Sequence, residues 1–540
     1  MTTLFTYVGN LIRSARVRPV SIELGRHRPA EAAVLSCVAP SIDRTWRLSL
    51  PVSDPTCTIL KHYTIQFLRA PAHTESMRRS PMTQQQKTNA RLVSRVTSLF
   101  ASKLGLRCDR FTSYKEDPRK HWQYYGYDEN DKNLAQNELN NLLSVTADQE
   151  HELSRVHSLL METYLSEKDS LFRSFQDLYA RHYDEKSTGI VYVSGREYYW
   201  LTILSIKYIR HELKDQTPIE IFMPFYDKND HFCNKISMVF PDVSCSYFNN
   251  YLSTRAVSKL SGYQYKALAL LLTKFTNVLY LDSDNIPLEH PSKLFEGEKY
   301  NKHGMVCWPD FWKRSTHPAF YRSSGLDRHS HIIAATPSVE SGQIMVNKKT
   351  HFKTLLLAYY YNLHGPDFFY PLFSQGFPGE GDKETFYLAS RVTEEGSFLM
   401  TGIKTKIVGY IDGQNLFHGQ SILQIDPDDV HKYAFFHCNH PKLQVDKLPK
   451  AYFFDPQTNT RRRSWQIMRD AKKDSNAGGM VTLKKGIKID LELRIWTLIH
   501  ELLVRDFKGF RLFESIGNDE MGDVVKEHIY FLKNQGTLIT

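Results

Sequence analysis

The stretch "NVLYLDSDNIPLEHPSKLF" (Asn277 to Phe295) decides the fold. Four of the five residues before Asp282 are apolar, so they read as a buried strand, and the strand ends on Asp282, Ser283 and Asp284. Asp, Ser and Asn stop strands routinely, and a bare Asp-x-Asp is weak on its own. Its position carries more weight. In an open parallel sheet, ligands sit outside the carboxyl ends of the strands. Two hard carboxylates there suit Mg²⁺ or Mn²⁺, which prefer oxygen ligands and bridge diphosphates.

Upstream, "GIVYVSG" (Gly189 to Gly195) predicts a second buried strand. The helical "YYWLTILSIKYIRHELK" and the strand "PIEIFMP" follow it. Strand, helix and strand over some thirty residues make a βαβ unit, the building block of a parallel sheet. Ser194 and Gly195 fall at the strand end, where a nucleotide could approach the backbone, although a plain tight turn explains them equally well. "YQYKALALLLTKF" predicts a helix before the aspartates, with Lys266 near its start as a donor-binding candidate.

The chain has 540 residues, 41% hydrophobic and 13% aromatic, which favours deep clefts and stacking surfaces over a disordered chain. Its net charge of +10 could serve nucleic acid, an anionic membrane or a phosphorylated substrate. No nucleic-acid-binding signature accompanies the basic residues, so nucleic acid is not expected as a partner. Seven cysteines are too few for a disulfide scaffold, but Cys233 and Cys245 could close a short loop in an oxidising compartment. No apolar run reaches the ~18 residues of a membrane-spanning helix.

Four segments are expected. Residues 1–135 read as a poorly ordered or mispredicted N-terminal region, the first ~85 lacking a clear period and beginning arginine-rich like a mitochondrial presequence. Residues 136–185 carry three- and four-residue apolar spacing and predict a helical stem. Residues 186–455 form the catalytic domain, and residues 456–540 a helical C-terminal extension.

Downstream, aromatic loops with interleaved Asp, Arg and His suit a sugar, which offers apolar faces and many hydroxyls. "GEGDKET" places Glu380, Asp382 and Glu384 in a glycine-loosened loop before a helix. These carboxylates could hold acceptor hydroxyls or stabilise charge on a sugar, or Asp382 could merely cap the helix.

"NVLYLDSDNIP", "WPDFW", "ESGQIMV", "GPDFFYPLFSQGFPGEGDKETF" and "HCNHPKL" occur in this order. Together they resemble the fungal α-1,2-mannosyltransferases that begin and extend mannan side branches. The resemblance implies an α/β fold of GT-A type, a mixed nucleotide-sugar-binding sheet flanked by helices. It implies GDP-mannose as donor, a mannose-containing glycan as acceptor, Mn²⁺ (or Mg²⁺) as cofactor, retention of configuration and a Golgi location. By the same resemblance Asp282 and Asp284 are the metal motif, with Asp282 also facing the donor. His437 would be the third ligand, His440 its alternative, and Lys442 would face the donor diphosphate. Asp382, with Glu380 and Glu384 as competitors, would be catalytic. An α-1,3-mannosyltransferase, a catalytically dead lectin-like scaffold and a nucleotide-sugar hydrolase are the rival readings.

Overall fold

The computed structural model describes residues 82–124, 141–224, 229–400, 406–412, 414, 416–439, 442–444, 446, 453–455, 457–467, 480–484, 487–513 and 516–535. Its centre is a seven-stranded mixed sheet. In chain order the strands are β1 (Thr188–Val193), β2 (Ile219–Met223), β3 (Val243–Tyr247), β4 (Asn277–Leu281), β6 (Met305–Lys313), β7 (Pro337–Asn347) and β8 (Phe398–Leu399), with β5 (Asn285–Pro287) set apart in a second sheet. Across the main sheet they run β3-β2-β1-β4-β7-β6-β8. β1 is parallel to β2 and β4, and β2 to β3, whereas β7 is antiparallel to both β4 and β6. This helix-flanked mixed sheet is the α/β architecture that the resemblance implies.

The central strands β1 and β4 are buried on both faces, which is why they read as continuous apolar runs. Successive side chains point to opposite faces. Val191, Phe222, Val278 and Tyr280 enter one core; Ile190, Tyr192, Leu279 and Leu281 enter the other. At the base of β1 a side chain on Gly189 would collide with the Phe275 ring, 2.2 Å from an added Cβ, so only glycine lets that ring cross the strand.

The first core is covered by helices from the part of the chain before β1. Helix Gln84–Ser102 begins with a capping box, in which Thr83 Oγ1 accepts from Gln86 and Gln86 accepts from the Thr83 N–H. It buries Val93, Val96 and Phe100. Helices Ala147–Leu159 and Ser170–His182 add Leu153, Val156, Phe172 and Phe175 to the same core. Residues 84–102 are therefore an ordered helix within the span for which the sequence predicted little order. The helices of 147–182 pack into the core that β1 and β4 share.

The second core receives the segment after residue 456. Trp465, Ile495, Trp496, Leu503 and Phe507 are buried with the sheet's second face. Helices Leu491–Glu501 and Asn518–Gln535 end the described chain. Among the described residues, no helix is long and apolar enough to cross a membrane.

A second, antiparallel sheet contains β5, β9 (Lys406–Ile411), β10 (Phe417–Ile425), β11 (Tyr433–His437) and β12 (Gln466–Ile467), ordered β12-β9-β10-β11-β5. β5 follows the aspartates directly, so this sheet grows from the turn that ends β4. Cys233 and Cys245 form a disulfide between helix Asp230–Val239 and β3.

Candidate active site

Two strand registers build the site. In the main sheet Leu281 of β4 pairs with Gln343 of β7, and the Asp282 N–H then donates to Gly342 O at 2.8 Å. In the second sheet His437 of β11 pairs with Asn285 of β5, and the Cys438 N–H donates to Asp284 O at 2.9 Å. The turn at 282–284 is thus held from both sides, at the carboxyl end of β4.

Asp282, Asp284 and His437 converge there, each offering a ligand atom within 4.8 Å of the others. Asp284 and His437 are buried, and Asp282 is partly open. His437 Nε2 lies 3.2 Å from Asp284 Oδ1, and its Nδ1 lies 3.1 Å from Glu340 Oε2. Lys442 Nζ pairs with the other oxygen of Asp284. Its short segment is pinned by Trp200, whose indole N–H donates to Leu443 O at 3.1 Å.

Burial alone would push the Asp284 carboxyl up, but His437 and Lys442 outweigh it and hold it well below the usual carboxylate range. Burial likewise opposes charge on His437, yet Glu340 and Asp284 raise its pKa well above the ordinary histidine value. Two carboxylate oxygens and one imidazole nitrogen form a donor set that suits Mn²⁺ or Mg²⁺. The residues present fit such an ion.

Lys266 connects this cluster to the "GEGDKET" loop. Its ammonium, fully buried, lies 3.3 Å from Asp282 and 3.0 Å from Asp382, and donates to Ser341 O at 2.7 Å. Despite that burial, Asp282 and Asp382 raise its pKa, so it stays charged. The structure makes Lys266 a tie between two carboxylates and closes it off from solvent.

Asp382 occupies the N-cap position of helix Lys383–Thr393, yet its carboxylate makes no capping bond. The side chain turns toward Lys266 and Ser341 Oγ, which lies 3.3 Å away. Burial lifts its pKa to about 6, Lys266 lowering it and Asp282 raising it.

Its two competitors are placed differently. Glu384 is buried in an ion pair with Arg314 and accepts from Ser338 Oγ at 2.7 Å and the Val339 N–H at 3.2 Å. Those bonds tie helix Lys383–Thr393 to β7. Glu380 is exposed and accepts from Ser374 Oγ at 2.6 Å, closing its loop. Neither joins the Asp282 cluster. Ser194 is buried at the end of β1, its hydroxyl accepting from Thr202 Oγ1 at 2.8 Å. The same Thr202 lies 3.0 Å from Ser283 Oγ, so this pair braces the turn, and Gly195 follows in extended backbone. His440 lies outside the described residues.

Glu340 and Ser341 of β7 were not singled out by sequence reasoning, although both lie within "ESGQIMV". The available signal was the one charged residue in a strand that is otherwise uncharged and almost wholly buried, where a buried charge needs a partner.

Residues 187–336 and 329–426 match the family described as "Mannosyltransferase putative". The α-1,2-mannosyltransferase MNN21 of Candida albicans is 32% identical over 418 residues, covering 65% of this chain and 62% of that protein. MNN24 of the same organism is 36% identical over 433 residues, covering 64% and 59%. The α-1,2-mannosyltransferase MNN2 of Saccharomyces cerevisiae is 33% identical over 331 residues, covering 54% and 52%. The chain thus spans between half and two thirds of the length of these curated relatives. Among solved structures, the galactosyltransferase LgtC is similar with a TM-score of 0.22 at 12% identity, over 30% of this chain and 58% of that one. Mouse xyloside xylosyltransferase 1 is similar with a TM-score of 0.25 at 11% identity, over 39% and 84%.

Proposed function

We propose, from the chain's kinship with the fungal α-1,2-mannosyltransferases, that it transfers mannose from GDP-mannose to a mannoside acceptor, forming an α-1,2 bond with retention. The observation that carries this reading is the convergence of Asp282, Asp284 and His437 at the carboxyl end of β4. Those three would hold Mn²⁺, with Mg²⁺ as a substitute. When bound, the ion neutralises the nucleoside diphosphate as it leaves.

The chain's own residues supply the rest. Lys442, half-exposed beside Asp284, is free to turn its ammonium toward the donor diphosphate once a cation takes its place. Retention requires the acceptor hydroxyl to attack from the face the diphosphate leaves. The bond from the mannose anomeric carbon to the diphosphate oxygen breaks, the bond to the acceptor oxygen forms, and the diphosphate oxygen takes the acceptor's proton. Asp382 sets negative potential beside the oxocarbenium-like centre, and Lys266 and Ser341 fix its carboxylate. The disulfide between Cys233 and Cys245 supports an oxidising compartment, and we place the protein in the Golgi membrane or lumen, acting in protein glycosylation and cell-wall mannan synthesis.

The test incubates the protein with GDP-mannose, Mn²⁺ and an α-mannoside, and determines the linkage and anomeric configuration of the product by NMR. GDP release is followed with and without acceptor. An α-1,2-linked product that chelation abolishes is expected. An α-1,3 linkage, GDP release indifferent to acceptor, or mannoside binding without turnover would each overturn the reading in favour of one specific rival.

A further inference from the structure

The His437 ring is clamped on both nitrogens, and only one clamp is a metal-motif residue. On the far side from Asp284, Glu340 Oε2 stands 3.1 Å from Nδ1. The other Glu340 oxygen accepts the Gly342 N–H at 2.8 Å, so the carboxylate cannot swing away without losing a backbone bond. The side chain is buried on β7. Gly342 leaves the room the ring occupies: a Cβ there would lie 2.5 Å from His437 Cε1 and 3.0 Å from Glu340 Oε2. Glu340 and Gly342 thus form a fitted seat for one orientation of one ring.

We infer that Glu340 is a positioning residue: it accepts a proton-bearing Nδ1 of His437 and so presents the Nε2 lone pair to a divalent cation shared with Asp282 and Asp284. This rests on the metal site proposed above. A histidine ligand binds through whichever nitrogen lacks a proton, and the hydrogen bond at the other nitrogen decides which that is. Without a carboxylate on Nδ1, the ring is free to take the other tautomer or to flip. Asp284 cannot make that choice, because it faces the same nitrogen that would bind the ion.

The experiment titrates Mn²⁺ into the full chain by electron paramagnetic resonance, following free Mn²⁺, for wild type, Glu340→Gln, His437→Ala and the double variant. Glu340→Gln is expected to weaken Mn²⁺ binding about tenfold or more, the usual scale for an outer partner of a ligating histidine. In the His437→Ala background the same change should weaken it less than about threefold, since its effect runs through the ring. A general structural role would give equal losses in both backgrounds, and that result overturns the inference. Should Glu340→Gln not fold, the wild type decides. Nitrogen-15 NMR of histidine-labelled, Mg²⁺-loaded protein must place the His437 proton on Nδ1, and a proton on Nε2 overturns it. Failure of wild type to bind Mn²⁺ more tightly than His437→Ala removes the proposed metal site itself. Normal wild-type binding with unaltered Glu340→Gln affinity removes only the role of Glu340.

Discussion

The ammonium of Lys266 lies between the carboxylates of Asp282 and Asp382, 3.3 Å from one and 3.0 Å from the other, and is sealed from solvent. A strand end and a loop one hundred residues later are joined through a single buried charge. Removing one member of a buried ionic group leaves the others uncompensated, at a cost of about 3–5 kcal/mol. Lys266→Met is therefore expected to lower the unfolding temperature sharply as well as to abolish transfer. Differential scanning calorimetry checks it, and an unchanged melting temperature would show that the three groups do not depend on one another.

Asp382 and Glu384 lie two residues apart and should fail in different ways. Asp382→Asn is expected to bind GDP nearly as wild type does while losing most of kcat, the pattern of an interaction made mainly in the transition state. Glu384→Gln breaks the Arg314 pair in the core and should cost about 3 kcal/mol of stability or more. GDP titration, turnover and chemical denaturation on the same preparations separate the two. If GDP affinity falls as steeply as turnover in Asp382→Asn, that residue belongs to the donor site.

Lys348 predicts a pH dependence of stability. Its ammonium is buried between Tyr179 and Tyr183, donates to Thr273 O at 2.6 Å, and is pushed down by burial to about 7. In the unfolded chain a lysine titrates near ~10.4. Between those values the unfolded chain binds a proton that the folded one does not, so this group's contribution to stability rises with pH from about 7 to about 10 and is flat below. Lys348→Met removes that slope. The stability difference between wild type and variant should shift in favour of wild type by a few kcal/mol, roughly, across that window. Urea denaturation at pH 7, 8 and 9 reads it, and parallel curves would refute the assignment.

The disulfide between Cys233 and Cys245 encloses a short loop, with a sequence separation of 12. Replacing both cysteines with serine should lower stability by about 2–3 kcal/mol, as loop entropy dictates. Turnover at low temperature should stay near that of wild type, because neither residue reaches the Asp282 cluster. Thermal melts with and without reductant provide the check.

What the sequence disclosed follows from the range of each signal. β1 and β4 were legible because strands buried on both faces write unbroken apolar runs, and Asp282 and Asp284 were legible because they interrupt one. The pairing of His437 with Asn285 was not, since nothing local in residues 433–437 names a partner 152 positions earlier. His437 entered through family resemblance instead. Glu384 misled because an acidic residue in a glycine-rich loop reads as exposed; only the fold reveals that Arg314 waits for it inside. Helix Gln84–Ser102 was missed although Leu92, Val93, Val96 and Phe100 recur at helical spacing, because its first turn is a polar run of glutamines that masks its start.

That helix sets the limits within which this protein can be trimmed. Asn89 Nδ2 reaches across to the carbonyls of Leu271 and Leu272, at 2.9 and 3.3 Å, and to the Tyr183 hydroxyl at 3.0 Å. It thereby closes the far end of the helix that carries Lys266. A fragment cut at Thr188, where the recognisable sheet begins, would bare Val93, Val96, Phe172 and Phe175's partners to water and leave those carbonyls without a donor. Expressed alone, such a piece would aggregate. A stretch of chain that keeps this core whole must start no later than the cap, Thr83, more than one hundred residues before the first strand.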